Sequence, residues 1–153
     1  ERQSFCKVVL KLLDDIKYPA DHLCLEITER CGSLPQSVIK ETVSFLKKFG
    51  VKFAIDDYGT GSASSSMALN LPMDEIKIDM SFIRDIIENK KKQMMVQSIV
   101  DFANAVHVKT CLEGVADEKL EEYLRTYGAS WFQGYYYSKS VSAEDLIKMI
   151  YLQ

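Results

Sequence analysis

Histidine is scarce in this chain, occurring only at His22 and His107, and the four cysteines (Cys6, Cys24, Cys31, Cys111) form no C-x-x-C pair. Both absences argue against zinc held in a nitrogen and sulfur shell. Cys24 and Cys111 lie inside apolar strand-like runs and are expected to be small core residues, their thiols free in a reducing cytoplasm. No strand-like run leads into G-x-G-x-x-G or a Walker-type loop, which disfavours a nucleotide-cofactor sheet. No apolar stretch is long enough to span a bilayer, although a parent protein could be tethered through upstream segments. Net charge is only -3, so no nucleic-acid polymer or general membrane surface is indicated as a partner. The one basic run, Lys90-Lys91-Lys92, falls between two helical stretches and is expected to be a solvated corner.

What is present is an ordinary globular composition of 153 residues, 47% apolar and 27% charged, enough for one domain with a sizeable core. Phe5, Val8, Val9, Leu12, Leu13 and Ile16 fall on one helical face. Short apolar runs then alternate with helical patterns. The runs are Leu23 to Thr28, Val51 to Asp57, Glu75 to Asp79, Val108 to Leu112 and Ser130 to Gln133. The intervening helices end at signals such as Phe49-Gly50, Pro72 and Gly128. Ser81 is expected to cap a short helix, Gln93 to Ala105 to make a longer one, and Ser142 with Asp145 to form a capping box for the last. Near-continuous apolar strands alternating with helices indicate an α/β fold on a parallel sheet. Two architectures fit, an open doubly wound sheet or part of a (β/α)₈ barrel, and in both the chemistry gathers at the carboxyl ends of the strands.

Those ends are polar: Glu26 and Glu29, Asp56 and Asp57, Lys77 and Asp79, Glu113, Gln133. Adjacent carboxylates such as Asp56 and Asp57 repel each other and are costly to desolvate, a cost that a cation removes. Several carboxylates, a lysine and an amide make an oxygen-rich site suited to Mg²⁺ or Mn²⁺. Such ions neutralise charge on a phosphodiester and lower the pKa of water, and adjacent aspartates suit two ions about 3.5–4 Å apart. Lys77 would hold the water or a phosphoryl oxygen, and Glu113 could accept a proton. The structural alternatives are a buried salt bridge for Lys77 and Asp79, and a backbone hydrogen bond for Gln133.

Five motifs carry a resemblance: Leu25-Glu26-Ile27-Thr28-Glu29, Asp56-Asp57-Tyr58-Gly59-Thr60-Gly61, Ile76-Lys77-Ile78-Asp79, Glu113-Gly114-Val115 and Gln133-Gly134-Tyr135-Tyr136-Tyr137-Ser138-Lys139. In order and near spacing, they resemble the EAL-type cyclic-di-GMP phosphodiesterase family. The resemblance implies a (β/α)₈ TIM-type barrel, here a partial barrel of about five parallel strands with flanking helices. It further implies two Mg²⁺ or Mn²⁺ ions and hydrolysis of cyclic di-GMP to linear pGpG by metal-activated water. Glu26, Asp56 and Asp57 match metal ligands. Lys77 matches the lysine on the attacking water, and Glu113 an acid proposed as general base. Gln133 matches a residue near metal and substrate, where Asp79 is also expected. Glu29 matches the acid that steadies the loop after the aspartate pair, a loop tied to dimerisation.

The chain also departs from that pattern. The Glu-Ala-Leu strand and the following strand with its Asn ligand are absent, so residues 1–153 are expected to be one partial domain, its carboxyl-terminal five βα units, lacking the upstream part. Ala116 replaces the second glutamate of the family's E-G-V-E, Ser62 to Ser66 replace a more aromatic loop, and Ser140 replaces a common proline. The chain alone is expected to be inactive, and its open edges to drive homodimerisation or other self-association. A sensory or GGDEF-type domain is expected upstream. The alternatives are a catalytically degenerate domain that senses cyclic di-GMP or binds a protein, and another metal-dependent barrel enzyme acting on small phosphates.

Overall fold

A computed structural model describes residues 2–28, 35–60 and 64–151. Each apolar run becomes a strand: β1 (Cys24–Thr28), β2 (Lys52–Tyr58), β3 (Glu75–Ile78), β4 (Lys109–Glu113) and β5 (Trp131–Gln133). The helices are α1 (Arg2–Asp15), α2 (Gln36–Lys47), α3 (Ser64–Asn70), α4 (Met80–Ile83), α5 (Lys90–Ala105), α6 (Glu118–Arg125) and α7 (Ala143–Tyr151). Neighbouring strands are all parallel, in the order β1-β2-β3-β4-β5. That order separates the two candidate architectures. A doubly wound sheet reverses direction at a switch point, whereas a barrel adds every strand on the same side. The sheet is therefore a five-strand segment of a TIM-type barrel.

One face of this sheet forms the core. Ile55, Ile76, Ile78 and Leu112 are fully buried and join one apolar cluster with Val43 and Leu46 of α2, Val96 and Val100 of α5, and Leu124 of α6. The other face follows from register parity. Glu26 pairs with Ala54, Thr28 with Asp56, Lys77 with Cys111 and Glu113 with Gln133. Ala54 in turn pairs with Glu75, two residues before Lys77. Glu26, Asp56, Lys77, Glu113 and Gln133 thus share the concave side.

Some local expectations are corrected. The cap of α4 is Asp79, whose carboxylate accepts from the Ser81 amide at 2.9 Å. Ser81 already lies inside the helix. Helix α5 starts at Lys90, ahead of the expected Gln93, because the Asn89 side chain accepts from the Lys91 and Lys92 amides at 3.1 and 3.3 Å. The basic run is therefore a helix opening and not a corner, with Lys92 Nζ donating to the Arg84 carbonyl at 2.6 Å. Cys24 is exposed, since β1 is an edge strand and Cys24 lies on its concave side. The stripe of α1 divides. Leu13 is buried with Cys6, while Phe5, Val8, Leu12 and Ile16 remain exposed. The last helix does carry the Ser142–Asp145 pair, the Asp145 amide donating to Ser142 Oγ at 3.2 Å.

Candidate functional site

Lys77 stands at the centre of the concave face, only 9% exposed. Its ammonium lies 3.0 Å from Glu26 Oε1, 3.2 Å from Asp56 Oδ1 and 2.9 Å from Glu113 Oε1. Three strands thus deliver three carboxylates to one cation delivered by a fourth. Burial alone would lower the pKa of Lys77, but the hydrogen bonds and charges of Glu113 and Glu26 outweigh it and drive the value upward. The ammonium stays charged throughout the neutral range. Burial raises the Glu113 carboxyl above the ordinary range, Lys77 offsets part of that, and the charges of Asp56 and Glu26 add to the rise.

Asp57 needs a separate explanation, because successive residues on a strand face opposite sides. The register of β2 against β3 shifts between Ile55 and Tyr58, and Asp57 adopts φ +53°. A bulge of this kind redirects a side chain, and Asp is one of the few L residues that tolerate the left-handed region. The result is that carboxylate oxygens of Asp56, Asp57 and Glu113 lie within 4.8 Å of one another. A cation binding oxygen at about 2.0–2.6 Å keeps its ligands about 4–5 Å apart at most. The three carboxylates therefore fit a hard divalent ion. Glu26 stands on Lys77 and outside this set, whereas Glu113 belongs to both groups.

A cavity of about 820 Å³ opens onto the site, lined by Asp57, Asp79, Glu113, Gln133, Gly134 and Tyr135 among others. That volume is within the range of small-molecule pockets. Asp79 reaches its edge, but one carboxylate oxygen serves as the α4 cap. Gln133 ends β5 opposite Glu113, and its backbone carbonyl accepts from the Val115 amide at 3.1 Å. The turn after it is tightly packed: a Cβ on Gly134 would fall 2.1 Å from the Val115 carbonyl oxygen. Glu29 lies outside the described residues. Cys111 shares the concave face, and burial pushes its thiol up to about 12, so it remains protonated and inert. Sequence reasoning passed over one buried charged residue: Glu121 of α6 is only 6% exposed. Its neighbours Leu120 and Leu124 mark a core-facing stripe, which was the available clue.

The family model described as EAL domain matches residues 1–140. Among curated proteins, the chain is similar to the cyclic di-GMP phosphodiesterase PdeB of Shewanella oneidensis, 34% identical over 117 residues, covering 76% of this chain and 14% of PdeB. It is similar also to the bifunctional diguanylate cyclase/cyclic di-GMP phosphodiesterase MucR of Pseudomonas aeruginosa, at 31% identity over 84% of this chain and 19% of MucR. The chain therefore spans less than a fifth of the length of either relative. Among solved structures, the EAL domain of Mycobacterium smegmatis DcpA superposes with a TM-score of 0.89 at 30% identity, covering 95% of this chain and 65% of that one. Strand order, the convergent acids around Lys77 and the match over residues 1–140 agree, and the chain belongs to the EAL domain family.

Proposed function

We propose that this chain carries the carboxyl-terminal half of a cyclic-di-GMP phosphodiesterase site, in a parent protein that hydrolyses the cyclic dinucleotide to linear pGpG. The observation that carries this reading is the convergence of Asp56, Asp57 and Glu113 oxygens within 4.8 Å beside Lys77, at the mouth of the strand segment. The names of PdeB and MucR support the substrate. Asp56 and Asp57, with Glu113 beside them, would hold one Mg²⁺ or Mn²⁺, and Glu26 on the same face is the ligand proposed for a second ion in the complete domain. Such ions supply charge neutralisation on the phosphodiester and acidify water near neutral pH.

The chain's own residues do the rest. Lys77 places a fixed positive charge where the phosphodiester gains negative charge, already oriented and needing no reorganisation. Glu113, held above the usual carboxylate range by burial, is a better proton acceptor than an exposed glutamate. Gln133 contributes an amide at the rim, on the strand beside Glu113. An upstream GGDEF-type or sensory domain is part of the proposal, supported by the bifunctional name of MucR. So is homodimerisation, tied to the loop that follows the aspartate pair. A reducing cytoplasm suits the free cysteines Cys6, Cys24 and Cys111, and no helix among the described residues is long and apolar enough to cross a membrane.

A second reading, a nucleotide sensor without turnover, is favoured by one observation. Ala116, exposed on the cavity wall, stands where the family pattern has glutamate. The test is incubation of the full-length protein with Mn²⁺ and cyclic di-GMP, followed by chromatography. Linear dinucleotide is expected. Tight calorimetric binding of cyclic di-GMP without product would instead establish the sensor, and turnover of simple phosphomonoesters alone would identify another barrel hydrolase.

A further inference from the structure

Glu121 is a buried carboxylate that the hydrolytic machinery does not use. It sits in α6, which begins three residues after Val115, and α6 is otherwise held by ordinary means, with Asp117 capping it through the Leu120 amide at 2.9 Å. Glu121 Oε1 accepts from Tyr137 Oη at 3.2 Å and pairs with Arg125 Nη2 at 2.5 Å. The two partners differ. The Arg125 side chain is 67% exposed and lies over the Phe132 ring at 5.9 Å. Tyr137 belongs to the turn that follows Gln133, and its ring packs against that of Tyr136 at 5.2 Å.

That turn is laced to the loop after Glu113. The Val115 amide donates to the Gln133 carbonyl, and the Tyr136 amide donates to the Val115 carbonyl, each at 3.1 Å. The Tyr137 and Ser138 amides close the turn onto the Gly134 carbonyl at 3.1 and 3.3 Å. The near end of the turn is thus fixed by backbone against the loop after β4, and its far end, closed on itself by backbone, is tied to α6 by the Tyr137 hydroxyl on Glu121. Burying a carboxylate is costly, and a well-packed apolar residue usually does as much for stability. An acid at this position gains little as packing and much as a directional anchor.

We propose that Glu121 is a positioning residue for hydrolysis: through Tyr137 it sets the Gln133–Gly134 turn against Glu113. This rests on the phosphodiesterase reading for its kinetic arm, while its geometric arm is independent of any activity. In the full-length protein, Glu121→Leu is expected to lower kcat for cyclic di-GMP about tenfold or more, with KM within about twofold and thermal stability little changed, since Arg125 is largely solvated without its partner and small misplacements near a reacting centre are costly in rate. Tyr137→Phe should act in the same direction. Glu121→Gln should recover part of the rate, because its amide oxygen still accepts from Tyr137. Slower turnover without lost stability is a split that a purely structural role would not give.

The geometric arm is hydrogen exchange. Protection of the Tyr136 and Val115 amides should fall in Glu121→Leu and Tyr137→Phe, while amides in α5 are unchanged. Unaltered protection, or wild-type kcat in Glu121→Leu, would overturn the assignment. A wild-type protein without turnover would overturn the hydrolase reading instead, and amide protection would still decide the role of Glu121.

Discussion

Lys77 and Glu113 are each shaped by the other, and their environments act on them in opposite ways. Three carboxylates, Glu26, Asp56 and Glu113, meet one ammonium, and a fourth, Asp57, lies beside two of them, so the site carries an excess of negative charge. Lys77 is held charged against its burial, whereas Glu113 is made harder to ionise. The second effect is a cost of folding. A carboxyl whose folded pKa exceeds its unfolded one loses stability as pH rises through the folded value, and loses none below the unfolded value. Glu113→Gln removes that cost. Its stability relative to wild type, measured by urea denaturation in EDTA, should therefore be more favourable at pH 7 than at pH 4. A difference independent of pH, or one of opposite sign, would contradict the strained-acid picture. Retaining a destabilising acid at the mouth is the pattern expected of a working site and not of packing.

Elements place these residues more firmly than their chemistry suggests. The strand ends were legible because buried parallel strands are continuous apolar runs, and a polar residue closing such a run is conspicuous, as with Glu26, Lys77 and Glu113. Parity then fixes which of them share a face. What the pattern could not convey was the position of Asp57. Read as regular strand, Asp56 and Asp57 point apart, and only the bulge with φ +53° brings them together. Cys24 was misplaced for a related reason: an apolar run identifies a strand but not its place at the edge of the sheet. Asp79 was ambiguous in the sequence because a carboxylate at the junction of strand and helix serves a site, a cap or both, and here it lines the cavity as well. The structure commits one of its oxygens to the cap. Asp79→Ala should cost about 1 kcal/mol of stability by cap loss, and Asp79→Ser should restore most of it. Chemical denaturation of both variants measures this. Equal stability of wild type and Asp79→Ala would show that the cap contributes nothing.

At the scale of the whole molecule, the five strands close no barrel. Edges at β1 and β5 are left without a neighbouring strand among the described residues. Exposed apolar side chains include Phe5 and Leu12 of α1, Ile16 just after it, Trp131 of the edge strand β5 and Tyr135 two residues beyond that strand. Unpaired strand edges template association, and contiguous apolar surface marks an interface. The chain of 153 residues, prepared alone, should therefore elute as dimers or larger species in light scattering. A clean monomer with a cooperative melt would contradict that view of the edges. The charge pattern of the concave face gives a further contrast at this scale. Glu75 shares that face but sits at the opposite end of β3 from the mouth, its carboxyl also raised by burial.

That contrast allows a decisive comparison. Mn²⁺ binding to the full-length protein, followed by electron paramagnetic resonance, should weaken by about tenfold or more in each of Asp56→Asn, Asp57→Asn and Glu113→Gln, and should be unchanged in Glu75→Gln. Undiminished Mn²⁺ affinity in Asp57→Asn, or an equal loss in Glu75→Gln, would mean that the three converging carboxylates do not form the cation site.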